Sequence, residues 1–145
     1  MKKPFVNLFI CLALLVLGLG SVSCSEHSNA ALSLEVVDVD AEAAAKLVED
    51  SAVVVLDVRT PEEFSLGHIA SALNHNINGD GFEDAVKSLD HSKTYLVHCA
   101  MGAAGGRSRN ALKALEAAGA TKVYHLNGGF VAWQQAANPT EKIVK

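Results

Sequence analysis

The sequence predicts an α/β domain built on a mainly parallel sheet. Strand-like and helix-like segments alternate along the chain. Two of the strand candidates, Val53-Val54-Val55-Leu56 and Tyr95-Leu96-Val97-His98, are continuous rather than alternating runs, the pattern of strands covered on both faces. The stretch from about Leu34 to Lys145 has the size of one domain with its own core, and no internal repeat divides it.

Leu34 to Val37 reads as a short first strand. Asp40 is placed to cap a helix through Ala41–Val48. The buried strand Val53–Leu56 ends at Asp57. Thr60-Pro61-Glu62-Glu63 then spells a capping box, with Thr60 as N-cap, Pro61 at the first helical position and Glu63 reaching back. A brief extended piece follows Gly67 at Ala72–Asn74, and Phe82, Ala85, Val86 and Leu89 form a helical stripe. The strand Tyr95–His98 delivers the chain to Cys99. Ala100–Gly106 is too rich in glycine for a helix and reads as a loop. A helix is expected over Arg107–Ala118, stopped by Gly119. Val123–Leu126 gives the last strand, Gly128-Gly129 a turn, and Phe130–Ala136 the closing helix.

The first two dozen residues do not resemble part of a fold. Lys2 and Lys3 precede an apolar run from Phe5 to Gly20, then the small residues Ser21-Val22-Ser23 ahead of Cys24, which is the layout of a secretory signal over residues 1–23. A membrane anchor is the competing reading, but the run falls short of the roughly 20 apolar residues a span requires. Gly20-Ser21-Val22-Ser23-Cys24 resembles a lipobox, with Ser21 where Leu is usual. That resemblance implies acylation of Cys24 and a membrane-tethered lipoprotein of the bacterial periplasm or cell envelope. Residues 24–33 then form a polar tether and residues 34–145 the domain.

The formal net charge of the 145-residue chain is −4, and loss of Lys2 and Lys3 with a cleaved signal makes it more acidic. Without a basic run or aromatic-basic interleaving, nucleic acid is excluded as the expected partner. An acidic protein does not draw in anionic substrates at long range, so any anion site has to be local. Of the three cysteines, Cys11 lies inside the signal and Cys24 at its boundary, leaving Cys99 as the one thiol of the domain. An unpaired thiol in an exported protein points to reactivity or to an intermolecular partner, the alternative being an inert buried Cys.

Cys99 stands at the end of a buried strand, in a glycine-rich loop that opens into a helix. Backbone N–H groups converge there and favour an anion. The thiolate is the nucleophilic form, and a helix N-terminus with a neighbouring Arg lowers the thiol pKa. Gly102, Gly105 and Gly106 let the loop curl with its amides inward. Arg107 and Ser108 at the loop exit are candidates to hold an anionic donor, Arg offering a fork of N–H groups. His98 should point away from Cys99 by strand alternation. His27, His75, His91 and His125 lack metal-ligand spacing and read as structural or solvated, so no metal site is expected. Phe130 and Trp133 read as core.

Leu56-Asp57-Val58-Arg59-Thr60-Pro61-Glu62-Glu63-Phe64 with Gly67-His68-Ile69 closely resembles the front motif of the rhodanese family. His98-Cys99 through Arg107-Ser108, and Val123-Tyr124-His125-Leu126-Asn127-Gly128-Gly129-Phe130-Val131-Ala132-Trp133, are similar to its active-site loop and closing motif. The resemblance implies a three-layer, rhodanese-like domain with a mainly parallel five-stranded sheet flanked by helices. It also implies sulfurtransferase activity: Cys99 takes a sulfane sulfur from a donor such as thiosulfate, holds it as a persulfide, and passes it to cyanide or a thiol, without a metal or organic cofactor. Asp57, Arg59, Glu63 and His68 are expected to be structural. Asp57 should bond loop backbone near the site, Arg59 should pair with Glu63 or another carboxylate, and His68 should support the turn at Gly67.

The chain departs from the family in the length of its loop. Arg107 follows Cys99 by eight residues, where single-domain rhodaneses use five and Cys-based phosphatases and arsenate reductases six. Either Arg107-Ser108 keeps its role behind an insertion, which the Gly106-Arg107-Ser108 exit favours, or the anion-binding Arg is absent. Two other functions stand beside the sulfurtransferase: a persulfide carrier or partner-binding module at the membrane, and a Cys-dependent phosphatase or arsenate reductase.

Overall fold

The computed structural model describes residues 33–104 and 106–143. The signal, Cys24, all of the tether but Ser33, and Gly105 fall outside the described residues. The elements are β1 (Glu35–Val39), α1 (Ala41–Leu47), β2 (Val53–Asp57), α2 (Pro61–Leu66), β3 (His68–Ile69), β4 (Leu73–Asn74), α3 (Phe82–Lys87), β5 (Thr94–His98), α4 (Arg107–Ala117), β6 (Lys122–Leu126), α5 (Gly129–Gln135) and β7 (Thr140–Glu141). Five strands form one sheet in the order β1-β6-β5-β2-β4, every neighbouring pair parallel.

Alternation of side chains across the sheet makes two cores. On one face Leu56, Tyr95, Val97, Cys99 and Val123 pack with Phe82 and Val86 of α3 and Ala111, Leu112 and Leu115 of α4. On the other Val55, Leu96 and Leu126 pack with Ala41 and Ala44 of α1 and Phe130 and Trp133 of α5. Being covered on both faces is why β2 and β5 read as unbroken apolar runs.

Local signals act where they were expected. The Asp40 carboxylate accepts the Ala43 amide at 2.8 Å, and the Thr60–Glu63 capping box is closed in both directions. Gly119 ends α4 with φ +96, a left-handed conformation that suits glycine. The antiparallel pair β3–β7 was not anticipated from the sequence: two residues per strand are too few to show a period. It folds the C-terminal segment onto the front motif, and the Ile143 amide donates to the Ser65 carbonyl at 3.3 Å.

Candidate active site

Cys99 follows β5, the middle strand, at the carboxyl end of the parallel sheet, where open α/β sheets bind their ligands. It is a free, buried cysteine. Its sulfur lies 3.3 Å from the Ser108 hydroxyl and accepts the Gly102 amide at 3.4 Å. Burial pushes the thiol up, but the hydroxyl and amide of Ser108 with the amides of Gly102 and Met101 outweigh it, so Cys99 sits below an ordinary thiol. Ser108 lies in the first turn of α4, whose N-cap Gly106 supplies no side-chain bond, and its amide is turned to the Cys99 sulfur.

The loop is held by its carbonyls. Phe130 donates its amide to the Cys99 carbonyl at 2.8 Å and Val131 donates to Ala100 at 2.9 Å, which satisfies first-turn donors of α5. Backbone must lie on backbone for this. A Cβ on Gly102, whose φ is +55, would come under 3.0 Å from the Leu126 carbonyl and the Gly128 and Gly129 amides. A Cβ on Gly129, φ +58, would strike the Cys99 and Ala100 carbonyls. The glycines of the loop and of the closing motif are therefore two halves of one contact.

Arg107 does not stand free. Its Nη1 and Nη2 donate to the two Glu63 oxygens at 2.5 and 2.8 Å. Arg107 holds the Glu63 carboxyl at about 2, against the opposing effect of burial, with the Thr60 amide adding to the depression. Glu63 thus ties the capping box of α2 to the exit of the Cys99 loop, and the Arg107 charge remains close enough to Cys99 for the two to interact.

The other front-motif residues lie elsewhere. Asp57 bonds the backbone of the loop that follows β2 and not that of the Cys99 loop, because it shares the sheet face of Val55, opposite Cys99. There it compensates Arg59, taking that residue's amide at 2.9 Å and its Nη2 at 2.6 Å, because a buried guanidinium requires a partner. Arg59 accordingly pairs with Asp57 rather than with the Glu63 carboxylate, donates to the Gly67 carbonyl at 2.8 Å, and lies over the Phe130 ring. His68 stacks on Phe64 and places Nδ1 3.0 Å from the Phe64 carbonyl, at the turn it was expected to support. His98 faces Phe130 and Asp57, away from the sulfur, and burial lowers its pKa.

His125, whose spacing offers no sign of a role, belongs to the site. His125 is fully buried on β6, with Nε2 2.9 Å from the Ser108 hydroxyl and Nδ1 2.7 Å from the Asp38 carboxylate. Asp38 is paired in register with His125 on the neighbouring β1 and also accepts from Arg109 of α4. A histidine facing inward on a strand otherwise apolar on that face was the available signal. Among the described residues no group of three or more His, Cys, Asp or Glu is placed to hold a metal ion.

The model of the rhodanese-like domain matches residues 40–136. The chain is 36% identical over 100 residues to an uncharacterized protein of Synechocystis, of which it spans about half, 51%. Two further relatives are thiosulfate sulfurtransferase 16, chloroplastic, of Arabidopsis thaliana (38% identical, 59% of this chain and 78% of the relative) and thiosulfate sulfurtransferase GlpE of Ectopseudomonas mendocina (32%, 67% and 84%). Among solved structures, a rhodanese-related protein from Thermoplasma volcanium superposes with a TM-score of 0.62 at 30% identity, over 72% of this chain and 97% of that one. A Rhodopseudomonas palustris protein described as a possible tyrosine phosphatase gives 0.60 at 27%, over 74% and 85%. The match covers both halves of the Cys99 site, from the α2 capping box to the glycine turn beneath the loop, and on it the chain belongs to the rhodanese-like domain family.

Proposed function

We propose that the protein is a sulfurtransferase that carries sulfane sulfur on Cys99. The observation that carries this reading is the Cys99 thiol itself, held below its ordinary pKa by the Ser108 hydroxyl and three backbone amides at the mouth of α4. The thiolate attacks the outer sulfur of thiosulfate, the S–S bond of the donor breaks, and sulfite leaves with the electron pair. Cyanide or a thiol then takes the outer sulfur and returns Cys99 as thiolate, a covalent double displacement. The same amides that stabilise the thiolate suit the terminal sulfur anion of the persulfide. Arg107 supplies positive charge beside the sulfur. Two of its five N–H groups are taken by Glu63, and the rest are available to an anionic donor. Ser108 and the Gly102 amide complete the proposed donor site; the Gly106 amide, expected to point inward, is taken by the Ala103 carbonyl at 2.9 Å, and Gly105 lies outside the described residues.

A phosphatase reading, raised by the relative described as a possible tyrosine phosphatase, is disfavoured by the loop. Ala100–Gly106 contains no carboxylate to act as general acid, and the eight-residue offset of Arg107 breaks the cradle such enzymes form. A pure persulfide carrier is separated by turnover. Purified protein given thiosulfate and cyanide should release thiocyanate, and Cys99→Ser should release none; equal turnover in the variant refutes the persulfide. A stable persulfide by intact-mass spectrometry without turnover identifies the carrier instead.

Export and lipid anchoring through Cys24 complete the proposal. They rest on the order of charged, apolar and small residues over 1–24. Cys24→Ala should shift the protein out of the membrane fraction; if it stays, the apolar run is the anchor.

A further inference from the structure

From the Cys99 sulfur an unbroken hydrogen-bonded line runs through Ser108 (3.3 Å) and His125 (2.9 Å) to Asp38 (2.7 Å). It links the centre of the sheet to a carboxylate whose side chain is half exposed on the edge strand β1. Each donor along it is fixed by the next. An ionised carboxylate only accepts, so Nδ1 of His125 carries a proton toward Asp38 and Nε2 of the neutral ring is bare. Ser108 must then give its single hydrogen to Nε2, and toward the sulfur it can only accept, so its hydroxyl favours the thiolate only once Nε2 is protonated. In that arrangement Cys99 is satisfied as a thiol. With Nε2 protonated the line reverses: the ring donates to the Ser108 oxygen, and the hydroxyl hydrogen turns to the sulfur, which is satisfied as a thiolate. A thiolate beside a neutral ring would set two acceptors against one hydrogen.

We propose that Ser108, His125 and Asp38 form a proton relay for Cys99, in which His125 takes the thiol proton through Ser108 and Asp38 fixes the ring and balances its charge. This rests on Cys99 being the nucleophile of the proposed sulfur transfer. In the step, the Cys99 S–H bond breaks, its proton passes to the Ser108 oxygen, and the Ser108 proton passes to Nε2. A thiolate and an imidazolium replace a thiol and an imidazole, with nothing oxidised or reduced. The titratable and charged groups around His125 are Asp38 from β1, Arg109 from α4, and Cys99 and His98 from the β5 side. Burial, the largest effect, holds His125 below an ordinary imidazole, with Arg109 adding to the depression and the Asp38 bond opposing it, so a proton on the ring depends on the charges of the Asp38 carboxylate and of the Cys99 thiolate it leaves behind. His125 and Asp38 are positioning residues, since neither touches the sulfur.

The test is the pH dependence of Cys99 alkylation in the full-length chain. A brief pulse of iodoacetamide is read on the tryptic peptide 94–107, which contains Cys99 and no other cysteine. Coupled groups titrate in two macroscopic steps. Wild type should show a reactive thiolate already near neutral pH and a second step in the alkaline range. His125→Leu should lose the lower step, with alkylation near neutral pH falling about tenfold for each unit of thiol pKa gained. The alkaline plateau should be kept. Ser108→Ala should lose the same step, and Ser108→Ala/His125→Leu should be no worse than Ser108→Ala alone, because the residues act in series. A folded His125→Leu with the wild-type profile, or additive losses in the double variant, overturns the relay. Asp38→Asn, at an accessible position, gives an independent reading if His125→Leu does not fold: the neutral-pH rate should fall, and an unchanged profile overturns the proposal equally. Alkylation needs no sulfur donor. A coupled profile without thiocyanate release therefore refutes the sulfur-transfer reading alone, and turnover with an uncoupled profile refutes the relay alone.

Discussion

Glu63→Gln isolates the link between the front motif and the Cys99 loop. Gln still accepts the Thr60 amide on its oxygen, so the capping box survives, while its NH2 replaces the oxygen that accepts Arg107 Nη2, so the charge and one of the two bonds to Arg107 are lost. In wild type the carboxyl is held at about 2 against an ordinary 4.5, first by the Arg107 bonds. At 1.36 kcal/mol per pKa unit that difference has a face value of roughly 3 kcal/mol. The Glu63 side chain is 36% exposed, and solvent screening brings the expectation to about 1 kcal/mol. Because the folded pKa lies below the unfolded one, this stability is fully present above about pH 4.5 and is lost as the pH falls through about 2. Urea unfolding should therefore find Glu63→Gln less stable by about 1 kcal/mol at neutral pH and level with wild type near pH 2. The freed guanidinium should also hold thiosulfate better, lowering its Michaelis constant by about 2- to 5-fold, the equivalent of 1 kcal/mol or less. An equal stability difference at both pH values would mean that the pair is not electrostatic. An unchanged or raised Michaelis constant would show that Glu63 holds Arg107 where the donor needs it.

Gly102→Ala should damage stability and site together. The left-handed backbone costs about 1–2 kcal/mol with a side chain, and the overlap with fixed backbone at Leu126 and Gly128 adds an amount of similar size. Thermal unfolding should report a drop and Cys99 alkylation a raised thiol pKa; wild-type values for both would show that the loop finds another seat. Asp57→Asn leaves Arg59 buried without a counter-charge, which costs about 3–5 kcal/mol. A loss under about 1 kcal/mol by urea unfolding at neutral pH would mean that the Gly67 carbonyl and the Phe130 ring suffice for Arg59.

What could be read from the sequence is what is local. The capping box at Thr60, the helix stop at Gly119 and the buried runs of β2 and β5 depend on neighbours within one turn or one strand, and each is found where the residues place it. Register is different. Asp38 meets His125 because β1 and β6 align Asp38 with His125, and a slip of one residue would turn either side chain to the other face. Ser108 enters the same contact from α4. These residues stand 17 to 87 positions apart, so no spacing rule could join them. The same distance concealed the pairing of Glu63 with Arg107, although each was singled out by itself, Glu63 as a cap and Arg107 as an anion anchor.

The two hidden contacts divide the site between the faces of the chain's own logic. Arg107 and Ser108 are adjacent in the first turn of α4, yet they answer to different partners: Arg107 to the carboxylate of α2, Ser108 to the histidine of β6. The first contact sets where positive charge stands for an incoming anion. The second sets where the thiol proton goes. Each can be altered without replacing Cys99, so the pH dependence of sulfur transfer should follow chiefly Asp38 and His125 and the affinity for an anionic donor chiefly Glu63, with the Arg107 charge beside the sulfur as the one link between them. A variant at Glu63 that moved the pH profile as far as His125→Leu would break that separation and make the first turn of α4 a single coupled unit.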